Sequence, residues 1–262
     1  MKLEIITKDP IGDRKPTEIL CVHSFFTSAW IWDQGFMDYF ANRGYRIHAL
    51  SLRGHGRSEG RRSWRWWGVQ DFVEDLQDFY AGFRGRPVLI GASAGAFYLQ
   101  KLLENHRPPA AVLLAPVPYS GLTGTAVEVF NRHPVLFLKI LLSMDPRKLV
   151  SSKALCREFL FSEDLPAEEL VRYCRKFERE SFRAFLEIGL FSRANPSKVD
   201  SPVLVVGSET DGLVSPGATR KTARKLNAEL EMLPGIGHMM VLDRGWEAAA
   251  RRINKFLTDL GL

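Results

Sequence analysis

The chain has 262 residues, 45% of them apolar and 25% charged. That is enough to close one large core, and too apolar for a disordered chain. The formal net charge is +6, but Lys and Arg are spread along the chain rather than gathered in a tail, which favours a solvated surface over a nucleic-acid-binding arm.

The predicted elements alternate. LEIIT opens the chain as a candidate edge strand. Runs of strand length follow at 18–23 (EILCVH), 45–52 (YRIHALSL), 87–92 (PVLIGA), 110–116 (AAVLLAP), 202–208 (PVLVVGS) and 228–233 (AELEML). Several are apolar on both faces, as strands of a parallel sheet covered on both sides must be. Helical patterns lie between them at Trp30–Asn42, Val69–Phe83, Ala94–Asn105, Gly217–Leu226 and Arg244–Leu260. Strand and helix in turn predict an α/β layer fold. The alternation stops at 117–201. Helices are expected there at Ala126–Arg132, Pro134–Met144, Ala154–Phe161, Ala167–Arg175 and Glu178–Ser192, punctuated by prolines. Residues 1–116 and 202–262 thus read as one core domain, and 117–201 as a helical lid inserted above the C-terminal edge of the strands.

Cys21, Cys156 and Cys174 form no CxxC pair and are odd in number. This argues against a disulfide framework or a zinc site and suits a reducing compartment. The N-terminal MKLEIITKDP has no apolar signal region, and no run reaches the roughly 18 apolar residues of a membrane span. A cytoplasmic protein is expected.

Chemistry is concentrated after the strand PVLI, where Gly91-Ala92-Ser93-Ala94-Gly95 opens a helix. G-x-S-x-G in a strand–turn–helix context lifts the serine hydroxyl out of the sheet on a strained turn. Glycine at both ends removes Cβ atoms that would crowd that turn. The Ala94 N–H, at a helix N-terminus, then faces developing negative charge. A serine needs a base, and an imidazole needs an orienting acid. His238, in LPGIGHMMV, and Asp211, in GSETDGLVSP, each follow a later strand, in the order Ser, Asp, His.

With these residues in view, the chain resembles an α/β-hydrolase over nearly its whole length. The matching stretches are VHSFFTSAWIW, LSLRGHGRSEG, GASAG, GSETDGLVSP and PGIGHMMV. The resemblance implies Ser93 as nucleophile, Asp211 as acid and His238 as base. It implies oxyanion donors at the N–H groups of Phe25 and Ala94. It implies no metal and no cofactor. Two positions depart from the family habit. The oxyanion loop reads His23-Ser24 rather than His-Gly, so a side chain at 24 is expected to tilt it. Ala92 and Ala94 are smaller than usual, so a wider pocket floor is expected.

Other residues compete for these roles. His23 ends a strand in the oxyanion loop, and His55, in RGHGRS, is expected to pin a turn. His48, His106 and His133 have no companion motif. Glu209 rivals Asp211 if the loop register differs, and Asp243 is expected at the start of a helix. GRRSWRWWG (60–68) is expected to pack against sheet and lid, with a substrate-entry or membrane-touching rim, or nucleic-acid contact, as alternatives. VLFLKILL (135–142) is apolar enough to line an acyl pocket or to anchor the lid to the body.

The leading expectation is a serine esterase, lysophospholipase-like, cleaving a small-molecule carboxylic ester with a hydrophobic acyl group. Peripheral membrane contact is in keeping with it, and nucleic acid is not expected as a partner. A C–C bond hydrolase, an acyltransferase, a perhydrolase or a slow ligand sensor on the same triad remain open. A dehalogenase is disfavoured, because that branch carries Asp where Ser93 stands.

Overall fold

A computed structural model describes residues 1–262. The apolar runs become β1 (Glu4–Lys8), β2 (Ile19–Val22), β3 (Ile47–Ser51), β4 (Val88–Ala92), β5 (Ala111–Leu114), β6 (Val203–Ser208) and β7 (Glu229–Leu233). They form one sheet in the order β1-β3-β2-β4-β5-β6-β7. Only β1 runs antiparallel. The inner strands β2, β4, β5 and β6 are buried at every position, as their two-sided apolar sequences require. The edge strand β1 alternates between exposed and half-buried residues.

Helices α1 (Phe36–Ala41), α2 (Val69–Ala81), α3 (Ala94–Leu103), α9 (Pro216–Lys225) and α10 (Trp246–Asp259) cover the sheet. α1 packs with α10, and α2 with α3. This is a mostly parallel α/β-hydrolase sheet with helices on both faces, as predicted. Helix α1 is shorter than its sequence pattern. A 3₁₀ turn at Ala29–Ile31 comes first, and the helix begins only after Gly35, at φ +109°. Trp246 lies against Gly35, 3.0 Å from where a Cβ would sit.

Between β5 and β6 stand α4 (Thr123–Arg132), α5 (Pro134–Ser143), α6 (Lys153–Leu160), α7 (Ala167–Lys176) and α8 (Phe182–Leu186), which runs on into a π turn at Glu187–Phe191. Its buried residues Leu149, Phe159 and Ile188 belong to the same apolar cluster as Leu89 and Val112 of the sheet. The helix predicted to start at Glu178 starts at Phe182 instead. Glu178, Glu180 and Ser181 are spent on hydrogen bonds to the body. No helix is long and apolar enough to cross a membrane.

Register gathers the chemistry. Val22 pairs with Gly91, Ala92 with Leu114, and Leu114 with Val206. The loops that follow β2, β4 and β6 therefore leave the sheet at one edge, and β7 ends beside Ser208.

Candidate active site

Ser93 sits between β4 and α3 at φ +51°, ψ −113°, a conformation costly for any residue with a Cβ. Its N–H donates to Leu114 O (2.9 Å), and its own carbonyl accepts from Phe97 N–H and Val117 N–H. The strain is thus held from both sides. The flanking glycines are required by space. A Cβ on Gly91 would lie 2.8 Å from Ala96 N and from Gly95 C, and one on Gly95 would collide with the carbonyl oxygens of His23 and Val22.

The loop after β7 brings His238 over this turn. Its Nε2 lies 2.8 Å from Ser93 Oγ and its Nδ1 2.8 Å from Asp211 Oδ2. The side chains of His238 and Asp211 are each 1% exposed. Asp211 Oδ1 accepts the N–H groups of Leu213 (2.8 Å) and Val214 (2.9 Å), leaving Oδ2 for the imidazole. Asp211 therefore orders the ring with Nδ1 as donor and Nε2 free to accept the serine proton. Glu209 is turned away to Arg220.

Asp243 does not cap α10, which begins at Trp246 after Gly245. It is buried, and its Oδ2 accepts Gly237 N–H (2.6 Å) and Ser162 N–H (2.7 Å), while Oδ1 accepts the Ser162 hydroxyl (2.8 Å) and Arg244 N–H. Met239 N–H donates to Leu160 O. The His238 loop is therefore clamped on both sides of the histidine by the end of α6.

The loop after β2 carries Phe25. The preceding carbonyl, Ser24 O, accepts His23 Nδ1–H (2.8 Å) and the Thr27 hydroxyl (2.9 Å). The next residue, Phe26, is held at φ +66°, with its N–H given to Glu180 (3.1 Å). Phe25 N–H has no acceptor in the protein, and Ala94, as the first residue of α3, has no intrahelical one. Ser24 stands where the family habit is glycine. Its hydroxyl is absorbed by Phe25 O and by Met239 Sδ.

The remaining histidines are structural. His23 Nε2 accepts Leu52 N–H (3.1 Å) while Nδ1 donates to Ser24 O. Burial, aided by neighbouring His55, pushes its pKa down to about 3. His48 bonds Thr7 and Glu18, His106 bonds Leu102 O, and His133 bonds Glu158. Trp67 is tied to Gly60 O by its indole and to Ser181 by its carbonyl, so the 60–68 stretch packs against the insertion, although Trp66 remains exposed.

A cavity of about 370 Å³ opens above Ser93. Phe25, Phe26, Ser93, His238 and Met239 form its base, and α4, α5 and the α8–π segment form its walls, through residues such as Val129, Ile140, Leu186 and Leu190. Seventeen of its 23 lining residues are hydrophobic, and none is Asp, Glu, Lys or Arg. Ala92 and Ala94 do not line it. Ala94 is spent on packing, at 0% exposure.

A family model described as serine aminopeptidase, S33, matches residues 14–245. The chain belongs to this family. It is a hydrolase of the α/β type. As an S33 member, it is 26% identical over 216 residues to a monoacylglycerol lipase of Mycolicibacterium smegmatis, covering 76% of this chain and 73% of the relative. It is 27% identical over 256 residues to a non-heme haloperoxidase of Rhodococcus erythropolis, covering 90% of each. Among solved structures, a monoacylglycerol lipase of Paleococcus ferrophilus superposes with a TM-score of 0.73 at 17% identity, over 99% of this chain and 100% of the other.

Sequence reasoning missed Asp243 as a loop clamp, and missed Glu178 and Glu180. One signal was available for the last two. Ser181 is the N-cap of α8, its hydroxyl accepting Ala184 N–H. A serine ahead of FRAFL marks a helix start at Phe182 and leaves both glutamates outside the helix.

Proposed function

We propose that this S33-family hydrolase is a serine esterase acting on carboxylic esters with a hydrophobic acyl group. The observation that carries this is the unbroken hydrogen-bond chain Ser93–His238–Asp211 opening into an apolar cavity. Ser93 Oγ attacks the ester carbonyl as His238 Nε2 takes its proton. Asp211 stabilises the imidazolium so formed. The N–H groups of Phe25 and Ala94 hold the oxyanion. His238 then protonates the departing alcohol, leaving an acyl-Ser93. Water, deprotonated by His238, attacks that acyl group, and the carboxylic acid leaves with Ser93 restored.

The cavity favours an ester over a peptide. An aminopeptidase must hold the ammonium of its substrate, and no carboxylate lines this cavity. The apolar walls also suit a substrate drawn from an apolar phase. Residues 117–201 act as the lid, and its outer apolar side chains would touch that phase.

A fluorophosphonate probe read by intact mass tests the nucleophile. One adduct on the wild type and none on Ser93→Ala is the expected outcome. An unlabelled, folded wild type would rule the reading out. A p-nitrophenyl ester series tests the acyl pocket. Each added methylene should raise kcat/KM by about fourfold, the value of ~0.8 kcal/mol per buried CH₂, until the cavity is full. A flat series would count against the acyl pocket.

A further inference from the structure

We propose that Glu180, a residue of the helical insertion, is a positioning residue for the oxyanion loop: paired with His55, it holds the Phe26 peptide so that the adjacent Phe25 N–H faces the carbonyl attacked by Ser93. This rests on the esterase reading above.

Glu180 is 1% exposed. Its Oε2 accepts Phe26 N–H (3.1 Å) and faces His55 Nε2 (3.3 Å), and its Oε1 accepts Ser181 N–H (2.8 Å). A buried carboxylate is tolerated only with such partners. Two residues earlier, Glu178 N–H donates to Phe26 O (2.7 Å), and its carboxylate takes the Ser28 hydroxyl (2.7 Å) and Gly56 N–H (2.9 Å). Both polar groups of Phe26, the residue at φ +66°, are therefore held by the insertion and by nothing in the core. Without these bonds the strained conformation loses its hydrogen-bond support and keeps only the packing of the Phe26 ring, and relaxation of Phe26 turns the neighbouring Phe25 peptide.

The hydrogen bonds also assign charge. His55 Nδ1 faces Arg53 O (3.1 Å) and Nε2 faces the Glu180 carboxylate. Both partners only accept, so both nitrogens carry protons and His55 is an imidazolium. Burial pulls its pKa down, but the Glu180 carboxylate, reinforced by Glu178, outweighs it, and the net direction is up. Arg61, largely exposed, faces Glu178 at 3.5 Å, whereas the two rings nearest the pair are uncharged. The His23 ring, 4.9 Å from that of His55, donates from Nδ1 and accepts at Nε2, and is neutral. The Tyr98 phenol of α3, which feels Glu180 and Glu187, is pushed far above its ordinary range, chiefly by burial.

The test uses Glu180→Ala and Glu180→Gln in the full chain, with p-nitrophenyl ester kinetics and a trifluoromethyl ketone that adds to Ser93 as an oxyanion adduct. In Glu180→Ala, kcat should fall by about 10²–10³, the effect of losing one oxyanion donor, with KM within about twofold. Ketone affinity should fall in parallel with kcat. Glu180→Gln keeps an acceptor for Phe26 N–H but removes the charge on which His55 depends. Its loss should be smaller, within about tenfold. The wild type should lose kcat on the alkaline side as His55 deprotonates, and Glu180→Gln should lack that limb.

Unchanged kcat in a folded Glu180→Ala, or a loss confined to KM, overturns the proposal. If Glu180→Ala does not fold, the pH profile of Glu180→Gln decides alone, and an unchanged alkaline limb overturns it. Fluorophosphonate labelling of the wild type separates the two failures. Labelling with Glu180 variants of full activity sinks this proposal only, whereas an unlabelled wild type sinks the esterase reading beneath it.

Discussion

Gly95 shows how tightly the elbow is packed at single residues. Its missing Cβ is the space in which α3 meets the end of β2, and the atoms it would strike are backbone carbonyl oxygens, which cannot rotate away. Gly95→Ala should therefore cost at least ~2 kcal/mol, read as a lowered melting temperature. It should also lower kcat, because the displaced carbonyl belongs to His23 at the root of the oxyanion loop. His23 and His55, neighbours of one residue type, carry opposite protonation states, and the difference lies wholly in their partners. His23 must accept an N–H and stays neutral, while His55 meets two acceptors and stays charged. The stability consequences have opposite signs. His23 has a depressed folded pKa, so it contributes stability above the unfolded value of 6.5 and loses it as pH falls towards about 3. The full loss is of order 5 kcal/mol. His55 has a raised pKa, so its contribution is complete below the unfolded value and fades as pH rises through the folded one. Melting temperatures measured across pH should fall on the acid side, and His23→Asn should flatten that fall. An acid limb as steep in His23→Asn as in the wild type would contradict this assignment.

At the scale of elements, the sheet was legible because its strands are buried on both faces and say so in unbroken apolar runs. The elbow was legible because strand, small-residue turn and helix must follow one another to expose a serine. His238 and Asp211 could be found because each follows a strand in the right order. The segment 178–181 could not be read this way. Glu178–Ser192 has a helical composition, and what keeps its first four residues extended is a set of partners more than 100 positions away, Phe26, Ser28, His55 and Gly56. Periodicity carries no record of such partners. Asp243 was misread for the same reason, since an acid just ahead of a helix has the pattern of a dipole partner. Its actual contacts yield a further expectation. Asp243→Ala strips acceptors from Gly237 N–H and from both donors of Ser162. The His238 loop should loosen, lowering kcat more than it raises KM and costing a few kcal/mol of stability. A variant with normal kcat would mean that Leu160 O and the packing of Ile236 hold the histidine without it.

For the whole molecule, these clamps divide the insertion into two parts with different duties. Residues 160–162 brace the His238 loop and residues 178–181 brace the oxyanion loop, so neither can swing away without dismantling the site. The α4–α5 hairpin reaches the catalytic loops through a single hydrogen bond, from the half-exposed Arg132 to Gly212 O (2.9 Å), and it is where the apolar side chains face outwards. Val127, Phe130, Val135, Leu138 and Leu142 are all more than 40% exposed, and Leu190 and Phe191 join them from the π turn. Scattered exposed apolar residues need no explanation, but a group gathered on the walls of an apolar cavity does. Under the esterase reading, this hairpin is the surface that meets an apolar phase and passes substrate inwards. Leu138→Asp with Leu142→Asp tests that at small structural cost, because neither residue lines the cavity and Leu142 is 85% exposed. Hydrolysis of soluble p-nitrophenyl acetate should be unchanged. Binding to phosphatidylcholine vesicles, and hydrolysis of a long-chain ester presented in them, should fall by more than about tenfold, since each leucine withdrawn from lipid forfeits ~1.5–3 kcal/mol. Equal rates on both substrates would mean that the hairpin closes the cavity without docking to lipid, and that the acyl chain reaches Ser93 from solution.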